Sequence, residues 1–147
     1  MIDATNLNLN ISNEIALKLD HQDNNLNKSN LRIYSPTIQL TGHKGEIYSG
    51  KFSNEGYLYS TAGHDRIIML WEVYEETCRN ITTLTGHTNA ILDLVWAQDD
   101  SKIYSASADK TVSVWDIYEA KRIKKFRGHD SFVNCLDATR KGPELVI

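Results

Sequence analysis

A histidine, a hydroxyl residue, an aspartate and a tryptophan stand in the same order twice along this 147-residue chain: His43, Thr61, Asp65, Trp71, then His87, Ser105, Asp109, Trp115. Ser, His and Asp are the groups of a nucleophilic triad, in which the imidazole takes the hydroxyl proton and the carboxylate orients the ring, and such triads are recognised by geometry and not by chain order. His43, His64 and Asp65 are also of residue types that bind a divalent metal. Neither chemistry suits the pattern. An active site is needed once, whereas this set recurs, each time with a tryptophan, and no close pair of metal ligands is repeated. In both units the Asp follows the His by 22 positions and the Trp follows the Asp by 6. That repetition suits a buried polar network, one per repeat: the His bonds the Asp of a turn, the indole N–H reaches the hydroxyl, and the four side chains satisfy one another. The expectation is that all eight residues are structural, with no catalytic residue, no metal ligand and no cofactor.

The elements that must hold these groups follow from the repeat. Gly-His pairs fall at Gly42-His43, Gly86-His87 and Gly128-His129, separated by 44 and 42 residues. A period near 40 to 45 that opens on Gly-His and closes on Trp-Asp predicts four-stranded WD-repeat β-propeller blades, an all-β fold. The second unit closes on Trp115-Asp116; the first departs, with Trp71-Glu72. Short β-rich runs bounded by turn residues give the strands. In the first unit they are Glu46 to Phe52, Tyr57 to Ala62, Ile67 to Val73 and Ile81 to Leu84; in the second, Ala90 to Trp96, Lys102 to Ser107, Thr111 to Ile117 and Arg122 to Phe126. A third unit starts with Phe132 to Leu136 and reaches Glu144 to Ile147. Repeats at about 40–84, 85–127 and 128–147 make roughly two and a half blades, an incomplete ring, because propellers close with about 4 to 8. Ile33 to Leu40 is the candidate for an outer strand lent to the last blade of the ring, where Pro36 is tolerated on an edge.

Composition narrows the partners. The content is 41% hydrophobic and 24% charged, which supports a globular core. No run approaches the roughly 20 apolar residues of a membrane helix, and the start lacks the pattern of a signal peptide. Two cysteines, Cys78 and Cys135, lack the spacing of a zinc site or the density of a disulfide scaffold, and suit a reducing compartment. A net charge of −3 argues against a domain whose main task is gripping phosphates, so proteins are the expected partners and not bare nucleic acid, membranes or small-molecule substrates. Residues 1–30 are rich in asparagine and poor in aromatic residues, and read as a disordered tail ahead of the propeller at 31–147. The basic run Lys121, Arg122, Lys124, Lys125 and Arg127 has two readings: a nucleic-acid surface, or the favoured one, an outermost strand whose charges keep other chains from pairing with it. Loops beside each Gly-His and before each turn Asp gather on one face of a propeller. They supply the candidates for partner contact: Lys44, Glu46, His64, Thr88, Asn89, Ala108, Asp130 and Phe132.

More narrowly, residues 40 to 147 resemble the WD-repeat subunits of the U5 small nuclear ribonucleoprotein of the splicing machinery. The resemblance is carried by the segments GHKGEIYSGKF and STAGHDRIIMLWEVY in the first unit, and by Ser131-Phe132-Val133-Asn134 and Arg140-Lys141-Gly142-Pro143 in the third. It implies a nuclear, non-enzymatic scaffold that docks on the large U5 core protein and touches RNA only indirectly. The alternative is a WD-repeat adaptor that recruits substrates to a ubiquitin ligase.

Overall fold

The computed structural model describes residues 37–74, 77–139 and 146. The chain divides between Thr41 and Gly42 into two units. Of the first, only 37–41 is described; the Asn-rich segment expected to be a tail lies outside the described residues, and the second unit is the subject below.

Eight strands follow Gly42. They are β1 (Ile47–Phe52), β2 (Leu58–Gly63), β3 (Ile67–Tyr74), β4 (Thr77–Thr85), β5 (Ile91–Trp96), β6 (Lys102–Ser107), β7 (Thr111–Asp116) and β8 (Lys121–Arg127). They pair with their sequence neighbours in two antiparallel sheets, β1-β2-β3-β4 and β5-β6-β7-β8. These are two propeller blades, as the repeat predicts, and among the described residues no helix is long and apolar enough to cross a membrane.

Local chemistry sets the turns. Between β2 and β3 the Arg66 amide bonds the Gly63 carbonyl at 3.2 Å and Arg66 takes φ 68°; between β6 and β7, Lys110 bonds Ser107 at 3.1 Å with φ 70°. A tight turn followed by one left-handed residue is a three-residue hairpin loop, and it places Asp65 and Asp109 at equivalent corners. Gly42 and Gly86 take φ 150° and 145°, and a Cβ on Gly86 would crowd the Arg122 guanidinium and the Trp115 ring. Only glycine enters such a conformation without strain, which is why Gly precedes each His. The ladder slips one residue at Leu70/Trp71 and again at Val114/Trp115, so a bulge accompanies the tryptophan in both blades.

The principal core lies between the blades. Ala62, Ile68, Leu70 and Leu84 of the first sheet meet Ile91, Leu94, Trp96 and Ile103 of the second. Each such aliphatic chain, wholly buried, stabilises the fold by roughly 1.5–3 kcal/mol. Polar clasps cross the same interface. The Asp100 carboxylate accepts from the Asn54 amide N–H at 2.8 Å, the Asn54 side-chain amide at 2.7 Å and the Glu55 N–H at 3.0 Å. The Trp96 indole donates to Ser60 Oγ at 3.0 Å and to the Lys51 carbonyl at 3.1 Å. Asp93 accepts from the Ser49 hydroxyl at 3.0 Å on one side and from the Leu136 N–H at 3.2 Å on the other.

Two expected strands do not form as expected. Phe132 to Leu136 is not a strand: Val133 and Leu136 are buried against Ala97, Tyr104, Ala106 and Val114 of the second sheet, and the segment is held by single bonds such as Val133 N–H to the Ser107 carbonyl at 3.2 Å. A strand needs a ladder on at least one edge, and among the described residues the only pairing here is one antiparallel bridge between Ala138 and Val146. The rest of the expected Glu144 to Ile147 strand lies outside the described residues. Of the expected lent strand, 33–36 also lies outside them and 37–40 forms no strand.

Candidate functional site

The two sets of His, hydroxyl, Asp and Trp each converge on one point at the loop end of a blade. In the first, His43 Nδ1 lies 2.8 Å from Asp65 Oδ2 and Nε2 2.8 Å from Thr61 Oγ1, while the Trp71 indole donates to the same Thr61 oxygen at 2.8 Å. In the second, His87 Nδ1 lies 2.9 Å from Asp109, Nε2 2.7 Å from Ser105 Oγ, and the Trp115 indole donates to Ser105 at 2.7 Å. With the ring proton on Nδ1, the donors would run in one direction: indole N–H to hydroxyl, hydroxyl to Nε2, Nδ1–H to carboxylate.

The same direction of donation occurs in a catalytic triad, so access decides what the arrangement can do. Ser105 is 0% exposed and Thr61 3%, and the indole of each blade closes on the hydroxyl from the other side. A buried hydroxyl with an indole N–H on its oxygen has no approach for a substrate carbonyl. His64, the second histidine of the metal hypothesis, is exposed beside the turn, and no group of three or more His, Cys, Asp or Glu that could hold a metal occurs among the described residues. What the sets accomplish is mechanical. Each Asp also receives the backbone N–H that follows its histidine, Lys44 to Asp65 at 3.0 Å and Thr88 to Asp109 at 3.2 Å. The entry loop is thereby pinned to the β2–β3 or β6–β7 turn.

The two networks are not equal. Thr111 donates its hydroxyl to Asp109 Oδ1, and the Lys125 ammonium lies 3.2 Å from Oδ2. Ile67 stands at the place of Thr111 in the first blade, where Asp65 has no hydroxyl to accept, and Thr83 of β4 stands opposite Met69 as Lys125 of β8 stands opposite Ser113. Burial raises the Asp109 pKa, but the bonds from Thr111, His87 and the Thr88 N–H outweigh it and hold the carboxyl far below its ordinary value. Burial likewise depresses the His87 pKa, opposed by its bond to Asp109.

Both shifts have the same sign for stability. The unfolded chain protonates His87 and Asp109 more readily than the folded one, so each stabilises at neutral pH. The His87 contribution starts to fall as pH drops below its ordinary 6.5, and the Asp109 contribution below 3.8. The expected result is a denaturation midpoint that falls steadily on acidification, with His87→Gln flattening the portion between pH about 5 and about 7. A wild-type midpoint constant from pH about 7 to about 4 would contradict it.

Of the loop residues expected to face partners, Lys44, Glu46, His64, Thr88, Asn89, Asp130 and Phe132 are exposed. Ala108 is not. It is only 8% exposed, and its N–H is bonded to the Ala90 carbonyl at 2.9 Å. It occupies the turn position of His64, whose long side chain clears the surface where a methyl group does not. Some side-chain work on Thr88 is internal too, since its hydroxyl lies 3.4 Å from Asp109. Residues that spacing did not single out are Lys125, Asp100, Asn54, Asp93 and Trp96. Their partners lie in another strand or another blade, at separations that no short motif contains.

The comparisons agree with this architecture. The model of the WD domain, G-beta repeat, matches residues 34–72 and 78–116. The U5 small nuclear ribonucleoprotein 40 kDa protein of Homo sapiens is 58% identical over 114 residues, covering 78% of this chain and 32% of that protein. Its Dictyostelium discoideum counterpart is 44% identical over 115 residues, with 78% and 32% covered. The pre-mRNA-splicing factor cwf17 of Schizosaccharomyces pombe is 35% identical over 111 residues, with 76% and 32% covered. The chain thus spans about a third of the length of these relatives.

Proposed function

The chain belongs to the WD-repeat family, and on that premise we propose that it is a protein-docking component of the U5 small nuclear ribonucleoprotein, acting in pre-mRNA splicing in the nucleus and carrying out no reaction itself. The observation that carries this reading is the 58% identity to a U5 protein across 78% of the chain. The geometry supports the scaffold part. The repeated His, Asp, hydroxyl and Trp groups are consumed in holding loops to turns, while seven of the eight loop residues beside them project to the surface. A propeller used this way presents side chains on a rigid frame, so binding orders little and the entropic cost of association stays low. The large U5 core protein is the proposed partner, with RNA reached through it. Domain limits of 1–30 for a tail and 31–147 for propeller belong to the same proposal.

Affinity purification of the tagged protein from nuclear extract, with identification of what accompanies it, tests the reading. U5 core proteins should dominate, and they should survive nuclease treatment, because the proposed contact is protein to protein. Recovery of ubiquitin-ligase subunits without splicing proteins would replace the reading with that of a substrate-recruiting adaptor.

A further inference from the structure

The outer strands of the two blades differ in a way that the ring does not require. β4 carries one cation, Arg79, which is matched by Glu72 in its own sheet. β8 reads Lys121-Arg122-Ile123-Lys124-Lys125-Phe126-Arg127, five cations in seven residues, in a chain whose net charge is −3. If charge on an outermost strand served only to keep other chains away, β4 would need it as much as β8 does.

Three of the five have internal work. Lys121 pairs with Glu119, Arg122 donates to the Gly86 carbonyl at 2.8 Å, and Lys125 reaches Asp109. Lys124 and Arg127 are exposed and pair with no acidic side chain among the described residues. Between them Phe126 is 44% exposed, and the Lys124 ammonium sits 4.7 Å from the centre of its ring. Among the described residues β8 is last in its sheet, so one row of its main-chain N–H and C=O groups faces outward, and further blades stack on sheet faces and leave that edge open.

We propose that the outer edge of β8 takes an acidic, extended polypeptide segment as a fifth strand of the second blade. The inference goes beyond the docking reading above and stands apart from the identity of the particle. Main-chain groups in a row are complementary to another β-strand, which fixes the ligand as polypeptide in extended form. The cations at Lys124 and Arg127, on alternate sides of the strand, then favour carboxylates at successive positions of the incoming chain, and Phe126 offers an apolar seat beside them. A nucleic acid would use the charge but leave the edge hydrogen-bonding groups unmatched.

The test uses the full chain and a fluorescent octapeptide of two Glu-Glu-Val-Val repeats, which carries carboxylates on both faces of an extended strand, read by anisotropy. The peptide should bind, weaken as ionic strength rises from about 0.05 to about 0.5 M, and slow amide exchange in β8. Methylating every backbone nitrogen of the peptide should abolish binding, since it removes the donors of both strand edges and keeps every charge. The double variant Lys124→Gln/Arg127→Gln should weaken binding on the order of tenfold while leaving the far-UV spectrum and thermal midpoint unchanged. Equal binding of the methylated peptide, tighter binding of an oligouridine of similar length, or no binding of the acidic peptide by the folded chain would each overturn the proposal.

Discussion

Asp109→Ala lowers the stability of the chain by about 3–5 kcal/mol in equilibrium denaturation, while Asp65→Ala lowers it by about 1–3 kcal/mol. The difference follows from what each carboxylate holds. Asp109 is 3% exposed and accepts from His87, the Thr88 N–H, the Thr111 hydroxyl and the Lys125 ammonium. Its removal leaves a mostly buried cation, Lys125 at 18% exposure, with no counter-charge, and strands an imidazole donor besides. Asp65 is 9% exposed and holds His43 and the Lys44 N–H, with no Lys or Arg on it among the described residues. Lys125→Met combined with Asp109→Ala should recover part of the loss, because the stranded charge goes with its partner. Equal effects of the two aspartate substitutions would show that Lys125 contributes nothing. No effect of either would remove the buried-network account of the repeat.

Trp96→Ala is the second large loss, about 3–5 kcal/mol, with Trp96→Phe costing about 1–3. Trp96 is 6% exposed in the core between the blades, and its indole is bonded to Ser60 Oγ and the Lys51 carbonyl of the first sheet. Alanine opens a cavity there and leaves the wholly buried Ser60 with one partner fewer. Phenylalanine keeps most of the volume and loses only the donor. The site of damage distinguishes this from a change within one blade. Hydrogen exchange should accelerate in β1 and β2 as well as in β5 and β6, because the residue is part of the interface that couples the two sheets. Acceleration confined to β5–β8 would show that the blades are not coupled through this tryptophan.

The strands and the paired networks were legible in sequence because their determinants are local and repeated. Turn residues at Asn54-Glu55-Gly56 and Asp109-Lys110, β-branched runs between them, and two copies of the 22-residue spacing fix each hairpin and bring His, hydroxyl, Asp and Trp to one end of a blade. Ends were less exact. β4 starts at Thr77 where Ile81 was expected, because ladder bonds to β3 extend through Arg79 and Cys78, residues with weak strand preference of their own. The third unit misled for a related reason: Phe132 to Leu136 has the composition of a strand, but composition supplies no partner edge, and the segment is held by burial of Val133 and Leu136 instead.

By itself the sequence determined what a repeat encodes: four-stranded blades, the eight structural side chains, the loop face and the family likeness. Tertiary structure decided what depends on residues well separated in the chain coming together. It made Asp100 the clasp for Asn54 and Trp96 the bolt through two sheets. It brought Lys125 onto Asp109, turned Ala108 inward where His64 faces out, and left Lys124 and Arg127 with no acidic partner among the described residues. The physical reason is that hydrogen bonding along a hairpin is set by neighbours in the chain, whereas the burial and charge environment of a side chain is set by whichever sheet stacks against it.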